Sequence, residues 1–364
     1  VRRFAGARKC GEGEKMSRFA SARLKALDPY VPGEQPQDKK YVKLNTNEAF
    51  FRPCPAVFDA VGDIAERLRL YNDPEAKRLV KAIADNLGVE PENVLATNGS
   101  DEALAFAFMA FCDEKTAARF PDVTYGFYPV FAAVFGVQAH IMPLDNNFNI
   151  NISDYLGAGD TIVIANPNAQ TGIALSVAEM EKIISSNPGN VVVVDEAYVD
   201  FGAESCVPLI KKYDNLLIVR TMSKSGALAG ARIGYCVGNK ELISDIKTVK
   251  YSFNPYNVGT MAQAAGEAAA RDKAYYKEKT EEVVKNREML CNGLKELGME
   301  FLPSKSNFVL AKKSGFGGEE LYEKLKEKGV LVRHFNGRIA DYIRITVGSG
   351  SEVKTLLDCL KEIL

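Results

Sequence analysis

Three short apolar runs constrain this chain more than any other feature: TIVIA from Thr161, VVVVD from Val191 and LLIVR from Leu216. Each is rich in β-branched residues and none alternates with polar ones. Helix-like or loop segments separate them. A strand that is apolar on both sides must be covered on both sides, so the runs predict a mostly parallel sheet with helices on each face. VLAT before Asn98, VQAHIM over 137–142 and ARIGYCVG over 231–238 add candidate strands. Helical periodicity is expected over 54–69, 75–87 and 126–136.

The pattern changes after about residue 257. Residues 257–297 read as one long charged helix. FVLAK, a helix over 318–328, VLVRHF, DYIRITVG and a helix over 351–363 follow. This alternation predicts a smaller α+β domain. The expected division is an extension over 1–15, an N-terminal segment over 16–45 that packs with the small domain, a large domain over 46–270 and a small domain over 271–364.

Composition closes off several classes of function. Lysine and arginine number 46 against 47 acidic residues, a net charge of −1, so no general field favours nucleic acid or an anionic membrane. Seven cysteines lie far apart with no C-x-x-C pair, which predicts reduced thiols in a cytoplasmic protein. Two histidines are too few for a His-rich metal centre. No apolar run is long enough to span a bilayer, and the N-terminal stretch VRRFAGARKCGEGEKM lacks the apolar core of a signal peptide.

Chemistry-bearing residues gather at the ends of the apolar runs. Asp195 ends VVVVD, where open α/β sheets bind ligands, and a buried carboxylate there needs a partner. The alternative is an acid that caps the next turn. Lys224 and Arg232 lie in TMSKSGALAGARIGY, a segment dense with small residues that let backbone approach a ligand. A lysine in such a crevice can lose its charge and attack a carbonyl. An arginine beside Ser223 and backbone amides suits a phosphate. The alternatives are a solvated lysine and a structural ion pair. Asn98-Gly-Ser-Asp101 turns from strand to helix, and the free N–H groups of a helix start also suit a phosphate, although a plain helix cap would look alike. No Walker lysine and no strand-linked G-x-G-x-x-G is present. Together, the acid, the lysine, the arginine and the helix start match a cofactor with a pyridine ring, an aldehyde and a phosphate.

From about Leu27 to Leu364 the chain resembles the fold-type I pyridoxal-phosphate aminotransferases, and within them the histidinol-phosphate aminotransferases. DPYVPGEQP, YVKLNTNE, TNGSDEAL, VTYGFYPV, NPNAQTG, VVVVDEAYVDF, RTMSKSGALAGARIGY, SNFVLAK, GVLVR and YIRITVG carry the resemblance in family order. It implies an α/β large domain, a smaller α+β domain and pyridoxal 5′-phosphate as cofactor. It implies that Lys224 carries the cofactor and shuttles a proton, that Asp195 pairs with the ring nitrogen and that Tyr198 hydrogen-bonds the phenolic oxygen. Ser100, Asp101, Thr221, Ser223 and Arg232 would surround the phosphate, and Tyr125 would stack on the ring. Tyr71 would reach the cofactor of a neighbouring subunit, making a homodimer with shared sites. Arg344, Arg333, Tyr30 and Asn47 would line the substrate region, with histidinol phosphate and 2-oxoglutarate or glutamate as substrates.

Two strings depart from the family. NPNAQTG has Ala169 and Gln170 where Asn-Pro is usual, so Asn168 is the expected contact to the phenolic oxygen. NEAFFRPCP replaces Asn-Pro-Tyr and following prolines. Threonine-phosphate decarboxylase and a broad aromatic aminotransferase are rival readings on the same fold. A non-catalytic protein that kept the fold is a rival of another class.

Overall fold

The computed structural model describes residues 16–62 and 64–364. The extension expected over 1–15 lies outside the described residues. A seven-stranded sheet forms the centre. Its spatial order is Val94–Thr97, Gly234–Gly238, Leu216–Thr221, Val192–Asp195, Thr161–Ala165, Ala118–Pro121 and Ala139–Met142. Neighbours from Leu216–Thr221 to Ala139–Met142 pair in parallel, and Gly234–Gly238 runs antiparallel to both of its neighbours.

The side-chain period of two explains the apolar runs. Val163, Val193, Leu217 and Val219 point to one face, where Leu104, Phe108 and Phe131 cover them. Ile162, Ile164, Val192, Val194, Leu216 and Ile218 point to the other, against Leu79, Ile83, Met180, Ile183 and Ile184. Both faces are dry, so neither could alternate with polar residues.

A second sheet is antiparallel and has the order Arg333–His334, Ile343–Thr346, Phe308–Lys312, Glu300–Phe301. VLVRHF is not one strand. Val330–Leu331 pairs in parallel with Val42–Lys43, and Arg333–His334 pairs with the Ile343 strand. The expected helix over 257–297 is also two helices, Thr260–Arg271 and Lys273–Glu296. Asp272 breaks it by leaving helical geometry at ψ 65°, and its carboxylate accepts from the Tyr275 N–H of the next helix. Lys240–Phe253 is a further helix that periodicity over 54–136 and after 257 does not cover. Asn239 caps it, and Leu242, Ile243 and Ile246 bury its inner face.

Among the described residues six cysteines are free, and no helix is long and apolar enough to cross a membrane. No cluster of potential metal ligands occurs among them.

Candidate active site

Register brings the chemical groups together. Asp195 aligns with Val219 at the ends of neighbouring strands, and Thr221 aligns with Gly234, which aligns with Thr97. The turns that follow these strands therefore share one edge of the sheet. Asp195 continues the odd-numbered face and is buried. Tyr128 Oη donates to its Oδ2 at 2.8 Å, and the Ala197 N–H donates to its Oδ1 at 3.1 Å. Burial raises its pKa to about 6, and these two donors and the Lys224 charge pull the other way. Sequence reasoning missed Tyr128. Its position three residues after Tyr125 on a helix was the available signal.

Lys224 Nζ donates to Thr46 O at 3.1 Å and lies 5.8 Å from the Tyr198 ring centroid. Burial lowers its pKa to about 8, and the Arg344 charge adds to the effect. The amine is thus readily neutralised, as a nucleophile must be. Tyr198 is buried, its ring edge-on to Phe308 at 5.1 Å. Asn47 Nδ2 donates to Tyr198 Oη at 3.0 Å, which leaves the phenol hydrogen free to donate elsewhere.

A second cluster stands at the start of the helix Gly99–Phe111. Asn98 makes no side-chain cap, so the first-turn amides keep their donors. Gly99 has φ +78°, and a Cβ there would stand 2.5 Å from Arg232 Nη2. The missing side chain is what lets the guanidinium lie over the helix start. Arg232 itself has φ +54°, a left-handed conformation that costs a non-glycine residue about 1–3 kcal/mol. Its Nη2 donates to Asp101 Oδ2 at 3.2 Å, and Tyr125 Oη donates to Asp101 Oδ1 at 2.6 Å. Ser223 N donates to Thr221 Oγ1 at 3.1 Å, with the two hydroxyl oxygens 3.0 Å apart. Ser100 occupies the first turn of the same helix. This cradle of amides, hydroxyls and an arginine fits a phosphate.

The substrate-side residues also converge. Arg333 and Arg344 are direct partners across two strands. Like charges so placed repel, an arrangement that an anion between them would relieve. Arg344 Nη1 donates to Ala169 O at 3.0 Å and to Gln170 Oε1 at 3.2 Å. Arg333 donates to Val31 O and Pro32 O, tying the N-terminal loop down. Tyr30 on that loop lies 6.4 Å from the Tyr125 ring and 4.5 Å from Phe127.

Two further expected residues, Asn168 and Tyr71, stand as follows. Asn168 Oδ1 accepts from the N–H groups of Gln170 and Thr171, and Nδ2 donates to Val123 O. Its side chain holds the turn, because without a proline at 170 the backbone N–H there needs an acceptor. Tyr71 is 85% exposed and stacks on Tyr256 at 4.7 Å, touching none of the groups above.

A mostly parallel sheet with an acid and a half-buried lysine at adjoining strand ends, and a phosphate cradle beside them, defines the fold-type I class of pyridoxal-phosphate enzymes. The chain belongs to the class I and II aminotransferases, whose family model matches residues 39–360. It is 47% identical to histidinol-phosphate aminotransferase 1 of Bradyrhizobium diazoefficiens over 96% of this chain and 100% of that one. It is 45% identical to histidinol-phosphate aminotransferase of Acinetobacter baumannii over 95% of this chain and 97% of that one. Its fold matches the crystal structure of histidinol-phosphate aminotransferase from Sinorhizobium meliloti in complex with pyridoxal-5′-phosphate. The TM-score is 0.85 at 24% identity, covering 96% of this chain and 99% of that one.

Proposed function

We propose that this enzyme exchanges an amino group between L-histidinol phosphate and 2-oxoglutarate, using pyridoxal 5′-phosphate, in histidine biosynthesis. The observation that carries the reading is the half-buried Lys224 amine, held on Thr46 O at 3.1 Å, at the same sheet edge as the buried Asp195 carboxylate and the phosphate cradle. When bound, the cofactor supplies an electron sink for the pair left at the substrate α-carbon.

The chain's own residues then have distinct tasks. Lys224 Nζ would hold the cofactor through its aldehyde and, as a free amine, would move the proton at the substrate α-carbon. Asp195 would pair with the cofactor's ring nitrogen and favour its protonated form. Tyr198, whose oxygen accepts from Asn47, would donate its hydrogen to the phenolic oxygen, Ala169 having no side-chain donor. Arg232, Ser223, Thr221, Ser100 and the first-turn amides, with Asp101 contributing its backbone N–H, would hold the phosphate, and Tyr125 would cover the ring. Arg344 and Arg333 face the substrate's anion, which is a phosphate ester in one half-reaction and a carboxylate in the other. The planar guanidinium can donate two parallel N–H bonds to either anion. Asn47 acts through Tyr198, and Tyr30 closes the substrate side.

Tyr71 supports a homodimer. An 85% exposed ring stacked on Tyr256, beside exposed Leu68 and Leu70, is an unusual surface for a monomer and suits a neighbouring subunit's site. The same reading assigns 46–270 to a cofactor domain and 271–364 to a small domain with 16–45 packed on it. The pairing of Val42–Lys43 with Val330–Leu331 supports that placement. Free, buried thiols at Cys112, Cys206 and Cys236 suit a reducing cytoplasm.

The test is an absorption titration of the holoenzyme with L-histidinol phosphate, followed by a coupled assay against L-phenylalanine and threonine phosphate. Bleaching of the cofactor band by histidinol phosphate and its reversal by 2-oxoglutarate are expected. Carbon dioxide release from threonine phosphate, or a preference for phenylalanine, would replace this reading with one of its rivals.

A further inference from the structure

The guanidinium of Arg344 is held in a way that the general plan of the site does not require. Among the described residues its hydrogen-bond partners are both neutral and both on Nη1: Ala169 O and Gln170 Oε1. Its Cζ lies 5.0 Å from each of the Phe308 and Phe335 ring centroids. Its Nε is buried with no hydrogen-bond partner. A buried N–H of a charged group is costly to leave unpaired, so this edge is one that a ligand would complete.

We propose that Gln170 is a positioning residue that turns Arg344 toward the substrate's anionic end and so sets the affinity for that anion. The proposal rests on the reading of Arg344 as an anion-binding arginine. The two hydrogens of Nη1 match two acceptors, one from the Ala169 backbone and one from the Gln170 side chain. With both engaged, rotation of the guanidinium plane is restricted and the Nε edge stays free for the incoming anion. The amide oxygen orients without neutralising, because it carries no formal charge. A carboxylate at this place would pair with Arg344 and compete with substrate. A proline, the residue usual in related sequences, would offer no side-chain acceptor at all. Gln170 therefore leaves the full positive charge available to both a carboxylate and a phosphate ester.

The experiment measures succinate binding to the holoenzyme by calorimetry, with kcat and KM for 2-oxoglutarate alongside. Gln170→Met keeps the length and removes the acceptor, and it should raise the succinate dissociation constant about three- to tenfold. Gln170→Glu keeps the acceptor and adds a charge, and it should raise the constant about 10- to 100-fold at low salt, with partial recovery at high salt. In both, kcat at saturation should stay within about twofold, since the group acts on binding. Unchanged succinate binding in both variants overturns the proposal, as does a fall in kcat with no change in KM. Arg344→Lys separates the two levels of the argument. If it leaves succinate binding intact, the reading of Arg344 fails. If it weakens binding while both Gln170 variants bind normally, only the role of Gln170 fails.

Discussion

Tyr128 and Asp195 form a single electrostatic unit. Without its donors a carboxylate this buried would be protonated at neutral pH, and a neutral acid cannot hold a proton on a pyridine nitrogen as an ion pair. Tyr128→Phe removes one hydrogen bond to a charged acceptor, worth about 1.5–3 kcal/mol. The folded pKa of Asp195, now about 6, should rise by about one unit or more. The sign follows: ionisation is lost first at low pH. The dissociation constant for pyridoxal phosphate should therefore increase several-fold near neutrality and much less at about pH 9. Fluorescence titration of the apoprotein at both pH values checks this, and an equal change at both would point to lost packing instead. Lys224 gives a complementary profile. Its pKa is lowered to about 8, so the neutral, attacking amine dominates only above that pH. The rate of pyridoxal phosphate uptake should rise about tenfold per pH unit below about 8 and level off above it. Stopped-flow absorbance measures this, and a flat profile between about pH 6 and 9 would show that the amine is already neutral.

At the scale of elements, the cofactor cradle depends on backbone contact. A Cβ at Gly234 would stand 2.3 Å from both Gly99 C and Ser100 N, so strand and helix start are in direct contact there. Neither neighbour is the end of a flexible side chain. Gly234→Ala should destabilise the fold by about 1–3 kcal/mol and weaken cofactor binding through the displaced helix start. Thermal unfolding of the apoprotein and a cofactor titration report the two effects separately. Unchanged values in both would mean that the turn can shift without loss. The same scale shows how far the sequence can be read. The central strands were legible because burial on both faces writes itself as unbroken valine and isoleucine, as in Val191–Val194. Asp195, Lys224 and Arg232 stood out as candidates because strand ends and small-residue turns are local signals, and the family resemblance then favoured them over a capping acid, a solvated lysine and a structural ion pair. The break at Asp272 was hidden, since a polar residue in a charged helix looks like a solvated one until its carboxylate is seen capping Tyr275. The split of VLVRHF was hidden because it depends on Val42, nearly three hundred residues away in the chain. The Gln170 contact to Arg344 was hidden for the same reason: side-chain pairing between segments 174 residues apart leaves no period in either.

At the scale of the whole molecule, the stacked Tyr71 and Tyr256 with exposed Leu68 and Leu70 form a surface that a single chain leaves unexplained. If Tyr71 enters the neighbouring subunit's cofactor site, then two different defects can lie in one site or in two. Tyr71→Ala damages the partner's site and leaves the chain's own Lys224 in place. Lys224→Ala destroys the chain's own site and leaves its Tyr71 to serve the partner. In a mixed dimer of the two variants, the Lys224-bearing chain receives an intact Tyr71, so one site of two is complete. Random reassociation makes about half of the dimers mixed, so activity should recover to about a quarter of the unmodified level. Both parents alone should stay well below that. The measurement is turnover after the variants are dissociated and reassociated together, with sedimentation to establish that dimers form. Dimers that form but show no recovery would place Tyr71 outside the shared site, and recovery in a protein that sediments as a monomer would exclude sharing altogether.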